Sequence, residues 1–311
     1  MHGVLLLDKP LGLSSNAALQ QVKRLYRAEK AGHTGTLDPL ATGLLPLCFG
    51  AATKFAQVSL DADKAYRATL RLGITTSTGD AEGVAVAHRE VAVTRRSVLD
   101  ACAAFLGPIE QLPPMHSALK HEGRALYEYA RAGVEIERAS RAVTIHAIEV
   151  VAGDGDTWIV DVRCSKGTYI RTLAEDIGAR LGCGAHLAAL RRTASGALGL
   201  ESAHTLEALE ALDEAARDAL LLPPDALLAD WLPVRLDAEG AARFLSGVRR
   251  RMTLDDAPHV RVYGPEAKAF LGGGHIHGGE LISTRLLSPV EAGDLLGLPR
   301  RPLLDITRTF P

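Results

Sequence analysis

The chain opens on a short apolar run, Gly3-Val4-Leu5-Leu6-Leu7, closed by Asp8-Lys9-Pro10, which reads as a buried strand. Ser14 or Ser15 then supplies an N-cap for a helix whose apolar positions Ala18, Leu19, Val22 and Leu25 recur at helical spacing. From Ala31 to Gly50 the periodicity stops. Glycines, prolines and threonines crowd this segment, and the expectation is a functional loop, too long for an ordinary connection. Tyr66, Ala68, Leu70 and Leu72 alternate with Arg67 and Arg71 as a half-buried strand does. Val143, Ile145 and Ala147, a turn at 153–157, and Trp158, Val160, Val162 and Cys164 predict a hairpin. Ile170, Leu173, Ala174, Ile177 and Leu181 return to helical spacing, with Gly182 as the stop. Strands and helices interleave with antiparallel hairpins, so the predicted class is α+β: a mixed, largely antiparallel β-sheet flanked by helices.

After residue 200 the pattern changes. An acidic stretch of short helices is broken by Pro223-Pro224, and a smaller β-rich unit with the glycine tract Gly272-Gly273-Gly274 follows. The expected division is 1–230 and 231–311. Residues 201–240 hold ten acids against Arg217 and Arg235, a local net charge of -8 within a total of -2, which leaves the rest of the chain at +6. A nucleic-acid partner meets that local field and is therefore permitted. Hydrophobic residues at 47% and charged residues at 23% suit an ordinary globular protein. No apolar run approaches the ~18 residues of a membrane span, and the N-terminus is not a signal peptide, so the expectation is a cytoplasmic protein with no membrane contact. Cys48, Cys102, Cys164 and Cys183 form no C-x-x-C pair, which argues for reduced, packed thiols. His275 and His277 share a strand face, but no third metal ligand accompanies them.

The chemistry concentrates in Gly32-His33-Thr34-Gly35-Thr36-Leu37-Asp38-Pro39-Leu40-Ala41-Thr42-Gly43. The glycines let the backbone approach a ligand, and Pro39 stiffens the residue before it, so Asp38 is an acid presented from a rigid loop. It is a candidate nucleophile or base; the plainer reading is a turn aspartate bonded to its own backbone.

This segment resembles the catalytic motif of the TruB-type tRNA pseudouridine synthases, G-H-T-G-T-L-D-P-x-A-T-G-x-L, without a gap. The resemblance runs through Asp8-Lys9-Pro10, Lys64-Ala65-Tyr66, Thr78-Gly79-Asp80, Gln111-Leu112-Pro113-Pro114, Leu126-Tyr127-Glu128-Tyr129-Ala130-Arg131, Cys164 to Arg171 and His186 to Arg192. It implies isomerisation of a uridine to pseudouridine in the T-arm stem-loop of tRNA, at position 55, with no cofactor and no obligate protein partner. It assigns Asp38 as the essential acid, and Arg171 as its partner in a bidentate fork. By the same resemblance Tyr66 corresponds to the aromatic that stacks on the uracil, Tyr169 and Leu190 to residues that line the pocket, and His33 to the histidine that fills the space left by the flipped base. Lys9, Lys54, Lys64, Lys166, Arg191 and Arg192 flank these motifs; each reads as a surface charge, available to phosphates and, for Lys9, to the substrate. Asp80 is expected to order a strand turn near the site. Residues 231–311 are expected to form a PUA-like RNA-binding domain. His116 stands where the family more often has tyrosine or phenylalanine.

Two other readings compete. Phosphoryl transfer through an aspartyl phosphate needs the acid before the threonine, and here Gly32 and His33 occupy those positions. A catalytically silent RNA-binding or tRNA chaperone module needs no buried ion pair, whereas Asp38, Tyr66 and Arg171 occur together.

Overall fold

The computed structural model describes residues 1–266 and 269–297. Nine strands build the main sheet: β1 (Gly3–Lys9), β2 (Ala31–His33), β3 (Ala41–Phe49), β4 (Lys64–Leu72), β5 (Gly107–Gln111), β6 (Arg141–Asp154), β7 (Thr157–Cys164), β8 (Ala185–Ser195) and β9 (Leu198–Gly199). The path runs β1-β3-β8-β4-β7-β6-β5, with β2 on β3 and β9 on β8. Every pair is antiparallel except β3 with β8. The α+β class, with its mixed and largely antiparallel sheet, is what the alternation predicts.

Helices α1 (Ser15–Leu25) and α3 (Ile170–Arg180) bear on the site, and α2 (Arg95–Ala103) packs against β6 and α3. Ser14 caps α1 by accepting the Ala17 N–H, and Ala18, Leu19 and Val22 are buried against Leu5, Leu7, Leu45 and Leu47. Helix α3 turns Ile170, Leu173, Ala174 and Ile177 into a core shared with Leu70, Leu72, Val160 and Val162. It stops where expected, with Gly182 at φ +80°.

The long loop expected over Ala31–Gly50 is not one. Only residues 34–40 are irregular; β2 and β3 take the rest up to Phe49, and Gly50 opens the 3-10 helix Gly50–Phe55. Leu44, Leu45, Leu47, Cys48 and Phe49 are all fully buried, and a strand covered on both faces shows no period-two alternation. Gly43 is a close-approach residue: at φ +97°, a Cβ there would lie 2.3 Å from the Arg192 carbonyl oxygen across the β3–β8 pairing.

A second sheet holds β10 (Leu232–Arg235), β11 (Arg250–Arg251), β12 (Ala257–Tyr263), β13 (Phe270–His277) and β14 (Glu280–Leu286), in the order β10-β12-β13-β14-β11. It is joined to the first. Val4, Leu6, Phe55 and Leu228 share one core with Tyr263, Phe270 and Leu287. Lys54 Nζ donates to the Leu286 carbonyl at 3.0 Å and pairs with Glu291 at 2.5 Å on the helix Pro289–Leu295. Among the described residues no helix is long and apolar enough to cross a membrane.

Candidate active site

Residues 34–40 form an irregular segment tied down at several points. Ser15 Oγ donates to the Leu37 carbonyl at 3.0 Å and accepts the Leu37 N–H at 2.7 Å, both bonds buried. The Gly12 N–H donates to the Pro39 carbonyl, and Ser59 Oγ to Thr34 Oγ1. Asp38 projects from this segment with its side chain 46% exposed, while the side chain of its partner Arg171 is 7% exposed. The geometry is a buried cation that fixes a solvent-facing acid.

Arg171 Nη2 lies 2.9 Å from Asp38 Oδ2 and donates to the His116 carbonyl at 2.6 Å. Nη1 turns away, donating to the Thr78 carbonyl at 3.2 Å and facing Asp80 Oδ2 at 3.5 Å. The bidentate fork expected from the resemblance is therefore absent, because the second nitrogen is already engaged. Asp80 is itself buried and held by Thr78 Oγ1 and the Glu82 N–H. Arg171 thus stands between two carboxylates, one buried and one open to a ligand.

The acid opens onto a cleft of about 420 Å³ whose walls include Tyr66, Tyr169, Leu190, Arg171 and Arg192. Tyr66 comes from β4 and Leu190 from β8, where Leu190 sits opposite Ala68. Burial pushes the Tyr66 phenol up. Tyr169 immediately precedes α3. Its backbone N–H and C=O are both bound by the side-chain amide of Gln111, and the Arg141 guanidinium lies 4.6 Å above its ring. Asp38, Arg171, Tyr66, Tyr169 and Leu190, expected together, all line this one cleft.

His33 and Lys9 are not among the residues lining the cleft. His33 is half-buried on β2, its Nδ1 without a hydrogen-bond partner among the described residues; burial, reinforced by the Arg192 charge, lowers its pKa. Lys9 is no surface charge. It is fully buried, with Nζ donating to the Pro10 and Leu13 carbonyls, and burial pulls it down to about 8 against the opposing pull of Asp38.

The surface reading fails for Lys64 and Arg192 as well. Lys64 Nζ donates to the Ser59, Leu60 and Ala62 carbonyls at the end of the short helix Ala56–Asp61, and burial lowers it to about 8. Arg192 is 1% exposed. Lys54, Lys166 and Arg191 pair with Glu291, Asp61 and Asp8. Sequence reasoning missed Arg141 altogether and noted Gln111 only as part of a motif. Neither has a local signal: each matters because β5 and β6 place it against Tyr169. On β13, His277 pairs with Asp256 at 3.1 Å, and no group of three metal-binding side chains occurs among the described residues.

Three family models match the chain in succession: the N-terminal domain of TruB family pseudouridylate synthases over residues 23–170, the tRNA pseudouridylate synthase B C-terminal domain over 171–229, and pseudouridine synthase II TruB, C-terminal, over 233–287. The chain is 61% identical over 305 residues to the tRNA pseudouridine synthase B of Verminephrobacter eiseniae, covering 95% of this chain and 92% of that one. It is 57% identical over 292 residues to the protein of the same name from Thiobacillus denitrificans, covering 94% and 98%. A chain from the crystal structure of a Cbf5–Nop10–Gar1 complex superposes with a TM-score of 0.72 at 25% identity, over 93% of this chain and 86% of that one. With identity this high along almost the whole length, the chain belongs to the TruB family of pseudouridylate synthases.

Proposed function

We propose that this protein converts a uridine of tRNA to pseudouridine at position 55 of the T-arm, with Asp38 as the carboxylate that does the chemistry. The observation that carries this reading is the 2.9 Å contact between Asp38 and Arg171 at the edge of a cleft that also holds Tyr66. Among the described residues of the cleft wall, Asp38 is the one carboxylate, and the contact holds it in one orientation while leaving an oxygen free to react.

In this reading Tyr66 stacks on the uracil. Base stacking of this kind is worth about 1–3 kcal/mol, which offsets much of the few kcal/mol needed to extrude a nucleotide. Tyr169 and Leu190 close the pocket around the base, and His33 fills the gap that it leaves in the RNA. Lys9 contributes a buried positive charge near Asp38 rather than a phosphate contact. Uridine and pseudouridine have the same atoms, so no cofactor is consumed. Residues 1–230 carry the reaction and 231–311 bind RNA in the manner of a PUA domain, acting without a protein partner in the cytoplasm; 267–268 and 298–311 lie outside the described residues.

The test is incubation with an unmodified tRNA transcript, without added metal or nucleotide, followed by mapping of pseudouridine by position. One modified site in the T-arm is expected for the wild type and none for Asp38→Asn, which still binds RNA. Product formation by Asp38→Asn at the wild-type rate would leave Asp38 with no role.

A further inference from the structure

Of the three guanidinium groups that the described residues bring to the cleft wall, those of Arg171 and Arg192 are buried, and their compensation differs. Arg171 has two carboxylates beside it. The hydrogen bonds of Arg192, among the described residues, run to neutral carbonyls: Nε donates to Leu44 at 2.7 Å and Nη2 to Gly35 at 3.1 Å. Its neighbour on the remaining side is Tyr66. In the sheet register Arg192 on β8 stands directly across from Tyr66 on β4, and the guanidinium lies beside the phenol.

A guanidinium keeps its proton even when buried. Taking that charge out of water with no counter-ion is costly. A buried cation without an acid, set in the wall of a reaction cleft, is a fixed field suited to negative charge that appears only during the reaction. A carboxylate beside it would cancel that field.

This inference rests on the isomerisation read above. We propose that Arg192 is a further residue of the reaction machinery, whose buried charge stabilises the uracil as it departs from the ribose. In that step the bond between C1′ and N1 breaks and its electron pair stays with the base, which leaves as a monoanion with charge spread over the ring nitrogens and carbonyl oxygens. The electron deficit on the sugar is met by the Asp38 carboxylate. When C5 then bonds to C1′, the Asp38 carboxylate withdraws from the sugar with its electron pair, the hydrogen on C5 is lost as a proton and N1 takes up a proton, so the product has the composition of the substrate. The competing role for Arg192 is a strap that ties β8 to the Leu44 and Gly35 carbonyls.

The two roles respond differently to the basicity of the departing base. Single-turnover rates at saturating RNA are to be measured for the wild type, Arg192→Gln and Arg192→Lys, on tRNA carrying uridine or 5-fluorouridine at the target position, read as loss of the N-glycosidic linkage. Fluorine makes the departing base more acidic and less dependent on outside help. Arg192→Gln is expected to slow the uridine reaction by about 10²–10³-fold and the 5-fluorouridine reaction by roughly tenfold less, with RNA affinity nearly unchanged. Arg192→Lys, which retains a charge, recovers roughly tenfold of the loss. An equal loss on both substrates overturns the proposal and leaves Arg192 as a strap. Should Arg192→Gln fail to fold, Arg192→Lys decides by the same comparison, because a displaced charge still affects uridine more than 5-fluorouridine. Failure of the wild type to form pseudouridine would refute the proposed function itself, a separate outcome.

Discussion

Gln111 grips Tyr169 with both ends of one amide: Nε2 donates to the Tyr169 carbonyl at 3.2 Å, and Oε1 accepts the Tyr169 N–H at 2.9 Å. Gln111 is 1% exposed, and the residue that it fixes leads into α3, where Arg171 is the second residue. Gln111→Met keeps the volume and deletes both bonds, at a cost of about 1–3 kcal/mol once the unpaired backbone groups are included. The expected result is a lower urea midpoint together with a single-turnover rate reduced at least about tenfold, RNA affinity being little changed. A folded variant with the wild-type rate would remove Gln111 from the positioning of the site.

Arg171 compensates a buried acid as well as an exposed one. Arg171→Met leaves Asp80 as an unpaired buried charge, and breaking such a pair typically costs about 3–5 kcal/mol. Adding Asp80→Asn to Arg171→Met is expected to restore much of the stability and none of the activity. The measurement is a double-mutant cycle in urea run beside a turnover assay; simple additivity of the two stability losses would deny the coupling.

Lys64 gives stability an uncommon pH dependence. Its native value of about 8 lies below the ordinary 10.5, so between these values the native state has released a proton that the unfolded chain retains. Stability contributed by the group therefore rises with pH across that window. Comparing unfolding free energies of wild type and Lys64→Met from pH 7 to pH 10, the difference is expected to grow in favour of the wild type. A flat difference would mean that Lys64 titrates normally.

All four cysteines are buried and unpaired with one another. Burial pushes Cys48 up to about 12 and Cys102 and Cys164 up to about 11, so the nucleophilic thiolate is scarce at pH 8. A thiol reagent is expected to leave the native protein unlabelled over minutes and to titrate four thiols after denaturation. Rapid labelling of the native protein would point to an opening of the core.

How much of this was legible in the sequence depends on where each residue's partners lie. Strand β4 and the β6–β7 hairpin show themselves because alternate residues face core and solvent. Strand β3 hides because both faces are covered, and because Gly43 and Pro46 read as loop residues; one is there for close approach to Arg192, the other pairs with Leu6. At the site, Asp38 is a candidate from its own loop, where a turn aspartate is the plainer reading, and the family pattern singles it out. Arg171 and Tyr66 are visible only through the family pattern, since an arginine near a helix start and a tyrosine on a strand have plainer explanations. Lys9, Lys64 and Arg192 read as surface charges because a carbonyl acceptor leaves no side-chain signature: those of Lys9 and Lys64 lie within five residues, and those of Arg192, at Leu44 and Gly35, lie on a distant segment.

The core that runs from Val4 and Phe55 through Leu228 to Phe270 and Leu287 makes a cut after residue 230 something other than the release of a module. Such a truncation bares an oily flank on the half that remains and leaves Lys54 without its acid. The shared core ties the stability of the two parts together, so a shortened form reports on damaged architecture before it reports on lost recognition.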